Sequence, residues 1–175
     1  MKPVKEEKIP HLLSMEKWLD RIDFSDTFST TNHKHNIEEI SRLVCTMAPG
    51  WVKSLMIARN KLVKPLGLKT QLPQDYKESF EVGGYVAFFK IFNITSDHVV
   101  LGADDSHLNF RLIVYNDQSR LYNIKVTTLV QFNNTMGGAY IQFVKPFHKL
   151  ILRRMVKNAY HPPELMNSDP ASVGS

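Results

Sequence analysis

The chain has 175 residues, 43% of them hydrophobic and 22% charged, with a net charge of +5, the profile of one globular domain with enough apolar material for a core. No apolar run approaches the roughly 18 residues of a membrane-spanning helix, and the charged start Met1-Lys2-Pro3-Val4-Lys5-Glu6-Glu7-Lys8 lacks the apolar centre of a secretory signal, so a cytoplasmic protein is expected. Lys and Arg are interspersed with Asp and Glu over most of the chain, and no aromatic interleaving or groove-reading motif accompanies them, so no nucleic-acid partner is expected.

Residues 1–13 carry two prolines and alternating charges and read as an N-terminal tail or surface strap. Ser14 to Leu19 suits a short helical turn docked by Trp18 and Leu19, and the Thr- and Phe-rich stretch from Asp23 to Thr31 suits a first strand. His33 and His35 then share one face at that strand's end, but no third ligand is spaced nearby and no metal site is expected. Asn36 is a good N-cap with Glu38 and Glu39 in the first turn, and Ile37, Ile40, Val44 and Met47 trace one face, which predicts a helix over 37–47. The lone Cys45 falls on it as a small buried residue without a disulfide partner. A second helix is expected over about 51–64, with Trp51, Leu55, Ala58 and Leu62 on its apolar side, stopped by Pro65 and Gly67.

Beyond residue 80 the rhythm changes to period two. Strands are predicted at Tyr85 to Phe92, His98 to Gly102, Leu108 to Tyr115 and Leu121 to Phe132, with Leu108, Phe110, Leu112 and Val114 on one side of the third and Asn109, Arg111, Ile113 and Tyr115 on the other. Asn133 to Gly138 is turn chemistry, after which apolar residues at 140, 143, 144, 147, 151 and 155 trace the buried face of a terminal helix over 138–158, about 30 Å long. Lys145, Lys149, Arg153 and Lys157 form a cationic stripe along it. That stripe is either the helix's solvated back or a peripheral contact for an anionic membrane.

Consecutive strands on short turns pair antiparallel, and a sheet with one apolar face needs a cover. The expected fold is therefore α+β, a curved antiparallel sheet gripping a long C-terminal helix, with two helices after the first strand. One domain over 14–160 is expected, with a disordered tail over 161–175.

Val100-Leu101-Gly102-Ala103-Asp104-Asp105-Ser106-His107-Leu108-Asn109-Phe110-Arg111, Val126 to Val130, Gly138-Ala139-Tyr140 and Lys145-Pro146-Phe147-His148-Lys149-Leu150-Ile151 resemble an uncharacterised bacterial family known only as a domain of unknown function. Trp51 to Leu55, Arg59-Asn60 and Gly67 to Thr70 fit the same pattern, so the likeness covers about residues 20–158. Related domains are also found fused behind short-chain-dehydrogenase-like domains, and the resemblance implies the START-like helix-grip fold, whose members bind lipids or other apolar molecules and include some cyclases. No glycine-rich dinucleotide loop is present, so no NAD-binding role carries over and no cofactor is expected.

Two groups of residues bear chemistry. Asp104, Asp105, His107 and Arg111 either line a ligand site or form a hairpin turn in which Arg111 bridges an aspartate. Phe147 and His148 follow Pro146, where a kink would place a polar residue at a cavity. The alternative for His148 is a hydrogen bond to the sheet. The functional expectation is a small apolar or lipid-like ligand held between the sheet and the terminal helix, with a cyclase- or hydrolase-type enzyme, using His107 or His148 with Asp104 or Asp105, as the alternative.

Overall fold

A computed structural model of the chain describes residues 2–8, 17–46 and 76–161; the side chains of residues 46, 136, 137, 139–141, 143, 144 and 146 are not part of that description. The elements run β1 (Lys5–Glu7), β2 (Phe24–Thr30), α1 (Ile37–Thr46), β3 (Tyr85–Val86), β4 (Phe89–Ile94), β5 (His98–Asp104), β6 (Leu108–Asn116), β7 (Ile124–Phe132) and α2 (Thr135–Asn158). The expected helix over 51–64 and the C-terminal tail lie outside the described residues.

The strands form one open sheet in the order β1-β2-β7-β6-β5-β4-β3, every neighbour antiparallel. β3 to β7 form a meander, and β2 closes onto its last strand. Alternation puts Phe28, Ile124, Val126, Leu112, Val114, Val99, Leu101 and Ile91 on the face that α1 and α2 cover, against Ile40, Val44 and Cys45 from α1 and Leu152, Met155 and Val156 from α2. Side chains of this size each contribute about 1.5–3 kcal/mol when fully buried, so this layer dominates the fold. The opposite face has a smaller core in which Leu19 packs with Val100, Ile113 and Leu129, flanked by Trp18, Ile22, Phe92 and Tyr115. Trp18 and Leu19 thus dock as expected.

α1 starts on a reciprocal capping box: the Glu39 amide donates to Asn36 Oδ1 at 2.9 Å and the Asn36 amide to Glu39 Oε2 at 3.0 Å. Past β2 the chain is braced by two buried asparagines. The Asn32 amide donates to Asn123 Oδ1 at 2.9 Å, Asn123 Nδ2 donates to the Asn32 carbonyl at 2.8 Å, and Asn32 Nδ2 reaches the Ala159 carbonyl at 2.7 Å. The entry to α1, the start of β7 and the end of α2 are therefore fixed to one another.

Four sequence expectations change in detail. The N-terminal strap contains a three-residue strand, with Val4 buried beside it. The stretch 85–92 is two strands, because the chain turns at Ala87 with φ of 55° although neither turn residue is glycine or asparagine. α2 begins at Thr135, inside the segment read as a turn. Among the described side chains, the buried face of α2 keeps Met155 of the expected stripe, with Ile151 partly buried against the core, but extends one residue further round: Leu152, Val156 and Ala159 are buried, His148 meets the sheet and Phe147 is 45% exposed, while the side chains expected at 140, 143 and 144 lie outside the description. One residue is about 100° of helix, and Leu150-Ile151-Leu152 and Met155-Val156 are apolar on both candidate stripes, so hydropathy alone does not choose between them.

Candidate functional site

The two groups of expected site residues lie on opposite faces of the sheet. Arg111 is in β6 among the side chains facing away from the helices, only 7% exposed. Gly102 is its cross-strand partner, and the missing side chain there leaves room for the Arg111 stem. The guanidinium stacks on Phe92 at 3.7 Å from the ring centroid and donates to both carboxylate oxygens of Asp104, at 2.6 and 3.3 Å. Asp104 therefore neutralises a buried cation. Asp105 accepts from the Ser106 amide and hydroxyl inside the β5–β6 hairpin, and His107 Nδ1 meets Asn134 Nδ2 at 3.0 Å where β7 turns into α2. These geometries are those of a braced hairpin, and they do not bring His148 to Asp104 or Asp105.

His148 faces β2 instead. Its Nε2 is 3.4 Å from Oδ1 of Asp26, and its ring stands edge-on to Phe24 at 5.8 Å between centroids. In β2 the pattern Phe24-Ser25-Asp26-Thr27-Phe28 puts Asp26 in phase with two aromatics on the helix-covered face. The register sets Thr128 of β7 directly opposite Asp26, with Phe24 against Val130 and Phe28 against Val126 on either side. Asp26 Oδ2 and Thr128 Oγ1 are both buried and have no hydrogen-bond partner among the described residues. An unmet buried polar atom costs about 1–3 kcal/mol, so this pair is an expensive feature under α2. Sequence reasoning named His148 but missed Asp26 and Thr128. An acidic residue in phase with Phe24 and Phe28 was the available signal.

A cleft of about 530 Å³ opens on the same place, lined by Ile22, Phe24, Asp26, Lys145, Lys149 and residues of β1. Its charges are largely matched: Lys149 donates to Glu6 at 2.5 Å, and Lys125, on the other face, holds Glu7 at 2.8 Å with Asp117 at 3.5 Å. Burial opposes ionisation of Glu7, but hydrogen bonds from Lys125 and Lys5 outweigh it and hold the carboxyl below its ordinary value. Lys145 lies 5.4 Å from the Phe24 ring centroid. The cationic stripe is thus divided. Arg153 and Lys157 are solvated, whereas Lys145 and Lys149 edge the cleft. Among the described residues no three His, Cys, Asp or Glu side chains are placed to share a metal ion, and no helix is long and apolar enough to cross a membrane. His33 Nε2 meets the Arg120 carbonyl oxygen at 3.0 Å, and His35 Nδ1 meets Asn32 Nδ2 at 3.1 Å.

Chemically, the cleft offers an aromatic wall, a carboxylate backed by an imidazole, and a rim of both lysines and carboxylates. Comparison with curated proteins and with solved structures returns no match. A family model described as a protein of unknown function, DUF2867, matches residues 18–155, and the chain belongs to that family.

Proposed function

We propose that this protein is a binding module for a small, mostly apolar ligand seated between the sheet and α2, in the manner of a START-like helix grip. The observation that carries the reading is the Asp26–Thr128 pair: two buried, unpartnered polar atoms in an otherwise apolar strip of sheet, beneath the helix and beside a cleft walled by Ile22 and Phe24. The reading places the protein in the cytoplasm, in keeping with the unpaired, buried Cys45. Native mass spectrometry of the purified chain tests it. A copurified small molecule, released on denaturation and less retained by Phe24→Ala, is the expected result. A bare chain that also fails to bind a neutral apolar dye would end the proposal.

A second reading, an enzyme of cyclase or hydrolase type on the same scaffold, is favoured by the contact of His148 with Asp26, a carboxylate-backed imidazole behind the cleft that Asp26 lines. Turnover of ester or epoxide probes that is abolished by His148→Gln, with dye binding retained, would support it. Equal turnover by the variant would remove it.

A further inference from the structure

Among polar positions on the sheet, the cross-strand pairs Thr27–Thr127 and Asp26–Thr128 are neighbours in register but differ in outcome. On the face away from the helices, the two threonine hydroxyls meet at 2.9 Å and satisfy each other. On the helix side, Asp26 and Thr128 stand directly opposite, where β-carbons are about 4.5–5.5 Å apart, and yet Oδ2 and Oγ1 are both unpartnered. Asp26 is 7% exposed and Thr128 3%, so bulk water does not serve them. Phe24 and Phe28 flank Asp26 along β2, and Val126 and Val130 flank Thr128 along β7. The pair is a polar island, and Asp26 also forms part of the cleft wall.

We infer that the ligand's polar end is a neutral hydroxyl group, held between the Asp26 carboxylate and the Thr128 hydroxyl, on an otherwise apolar body. This rests on the binding reading above and adds the chemical class of the ligand. An ionised carboxylate only accepts hydrogen bonds, whereas a threonine hydroxyl donates one and accepts others. One alcohol oxygen completes both: its own hydrogen goes to Asp26 Oδ2, and its lone pair receives the hydrogen of Thr128 Oγ1. A ligand carboxylate or phosphate would bring a second anion onto a buried one. An ammonium group would meet Asp26 but has only hydrogens to donate, so it leaves the hydrogen of the Thr128 hydroxyl without an acceptor. Hydrocarbon with no head group leaves both atoms unmet.

Displacement of the neutral dye N-phenyl-1-naphthylamine from the full chain at pH 7 tests this with 1-decanol, decanoate and decylamine, which share one apolar body. Decanol is expected to displace the dye at about tenfold lower concentration than either charged probe. Thr128→Val, close to threonine in shape, should abolish that preference, read against each variant's own dye affinity, and Thr128→Ser, which restores the hydroxyl, should keep it. Asp26→Asn should weaken decanol in the same assay; if that variant melts early, the two Thr128 variants decide the matter. Equal displacement by all three probes, a preference for decanoate or decylamine, or a decanol preference that survives Thr128→Val overturns the hydroxyl assignment and leaves the apolar site standing. A chain that binds neither dye nor any probe loses the binding reading, and the assignment falls with it.

Discussion

At Gly102 a methyl group has no room: a Cβ there would lie 2.1 Å from the Phe110 carbonyl oxygen and 3.2 Å from Cδ of Arg111. The first neighbour is backbone and cannot swing away. Gly102→Ala should therefore cost about 1–3 kcal/mol, read by urea unfolding, and truncating Arg111 in the same chain should not restore it. An unchanged midpoint would mean that β5 and β6 slide apart easily. Cys45 makes a second residue-scale test. Burial pushes its thiol from an ordinary value of 9.0 up to about 12, so it should be silent to a thiol reagent at pH 8 until the chain unfolds. The neutral thiol is the form the fold accommodates. Its contribution is complete below the unfolded value of 9.0 and drains away as pH rises toward 12. Rapid labelling of the native chain would contradict that burial. Arg111 and Cys45 were legible from sequence, because an arginine inside an alternating strand needs a partner and a lone cysteine on an apolar helix face packs as a hydrophobe. Asp26 and Thr128 were not, because they are opposed only through a pairing of β2 with β7 that no local pattern announces.

Elements were most readable where periodicity and end signals agree. Asn36 and Glu39 mark the start of α1 in sequence and form the capping box in space, so Asn36→Ala should cost about 1 kcal/mol of stability, measured by thermal unfolding. The meander strands followed from period-two alternation, but the break at Ala87 lacked the usual turn residues and the register shift between Ile91 and Asn93 in β4 had no local signal. α2 shows the limit of hydropathy more sharply. Its apolar residues occupy two adjacent stripes, and tertiary packing selects the one through Leu152 and Val156. Leu152→Ala is accordingly expected to cost about 2–5 kcal/mol and Phe147→Ala distinctly less, since Phe147 is 45% exposed. The reverse order in a denaturant series would restore the stripe through residues 147, 151 and 155. This rotation carries functional weight, because it is what turns His148 toward Asp26.

For the molecule as a whole, the edge of the sheet at β2 is covered, among the described residues, by the three residues of β1. An uncovered strand edge is a template for unwanted pairing, so how firmly this strap is held decides whether the sheet stays closed to other chains. It is held at both ends: the Thr30 hydroxyl donates to the Pro3 carbonyl at 2.7 Å, the Tyr122 hydroxyl to the Lys2 carbonyl at 2.9 Å, and Glu7 takes the largely buried Lys125 ammonium. Glu6 adds a tie to Lys149 of α2, so two of the strap's ties are ionisable on both sides, and the Glu7 pair is the more buried of them. Because the folded Glu7 carboxyl lies below its ordinary value of 4.5, its stabilisation is present above that value and is lost as pH falls through the lower, folded one. Acid should therefore loosen β1 before the core responds, leaving Lys125 with Asp117 alone. Hydrogen exchange at the β2 amides that face β1, compared at each pH between the native chain and Glu7→Gln, isolates this step, since intrinsic exchange rates cancel at equal pH. The variant is expected to exchange faster at pH 7 and to converge with the native chain once Glu7 is protonated. Equal exchange at every pH would assign the strap's hold to the Thr30 and Tyr122 hydrogen bonds and the Glu6–Lys149 pair. Because Glu6 and Glu7 also edge the cleft, loosening of β1 would widen the route to Asp26, tying protection of the sheet edge to access for the proposed ligand.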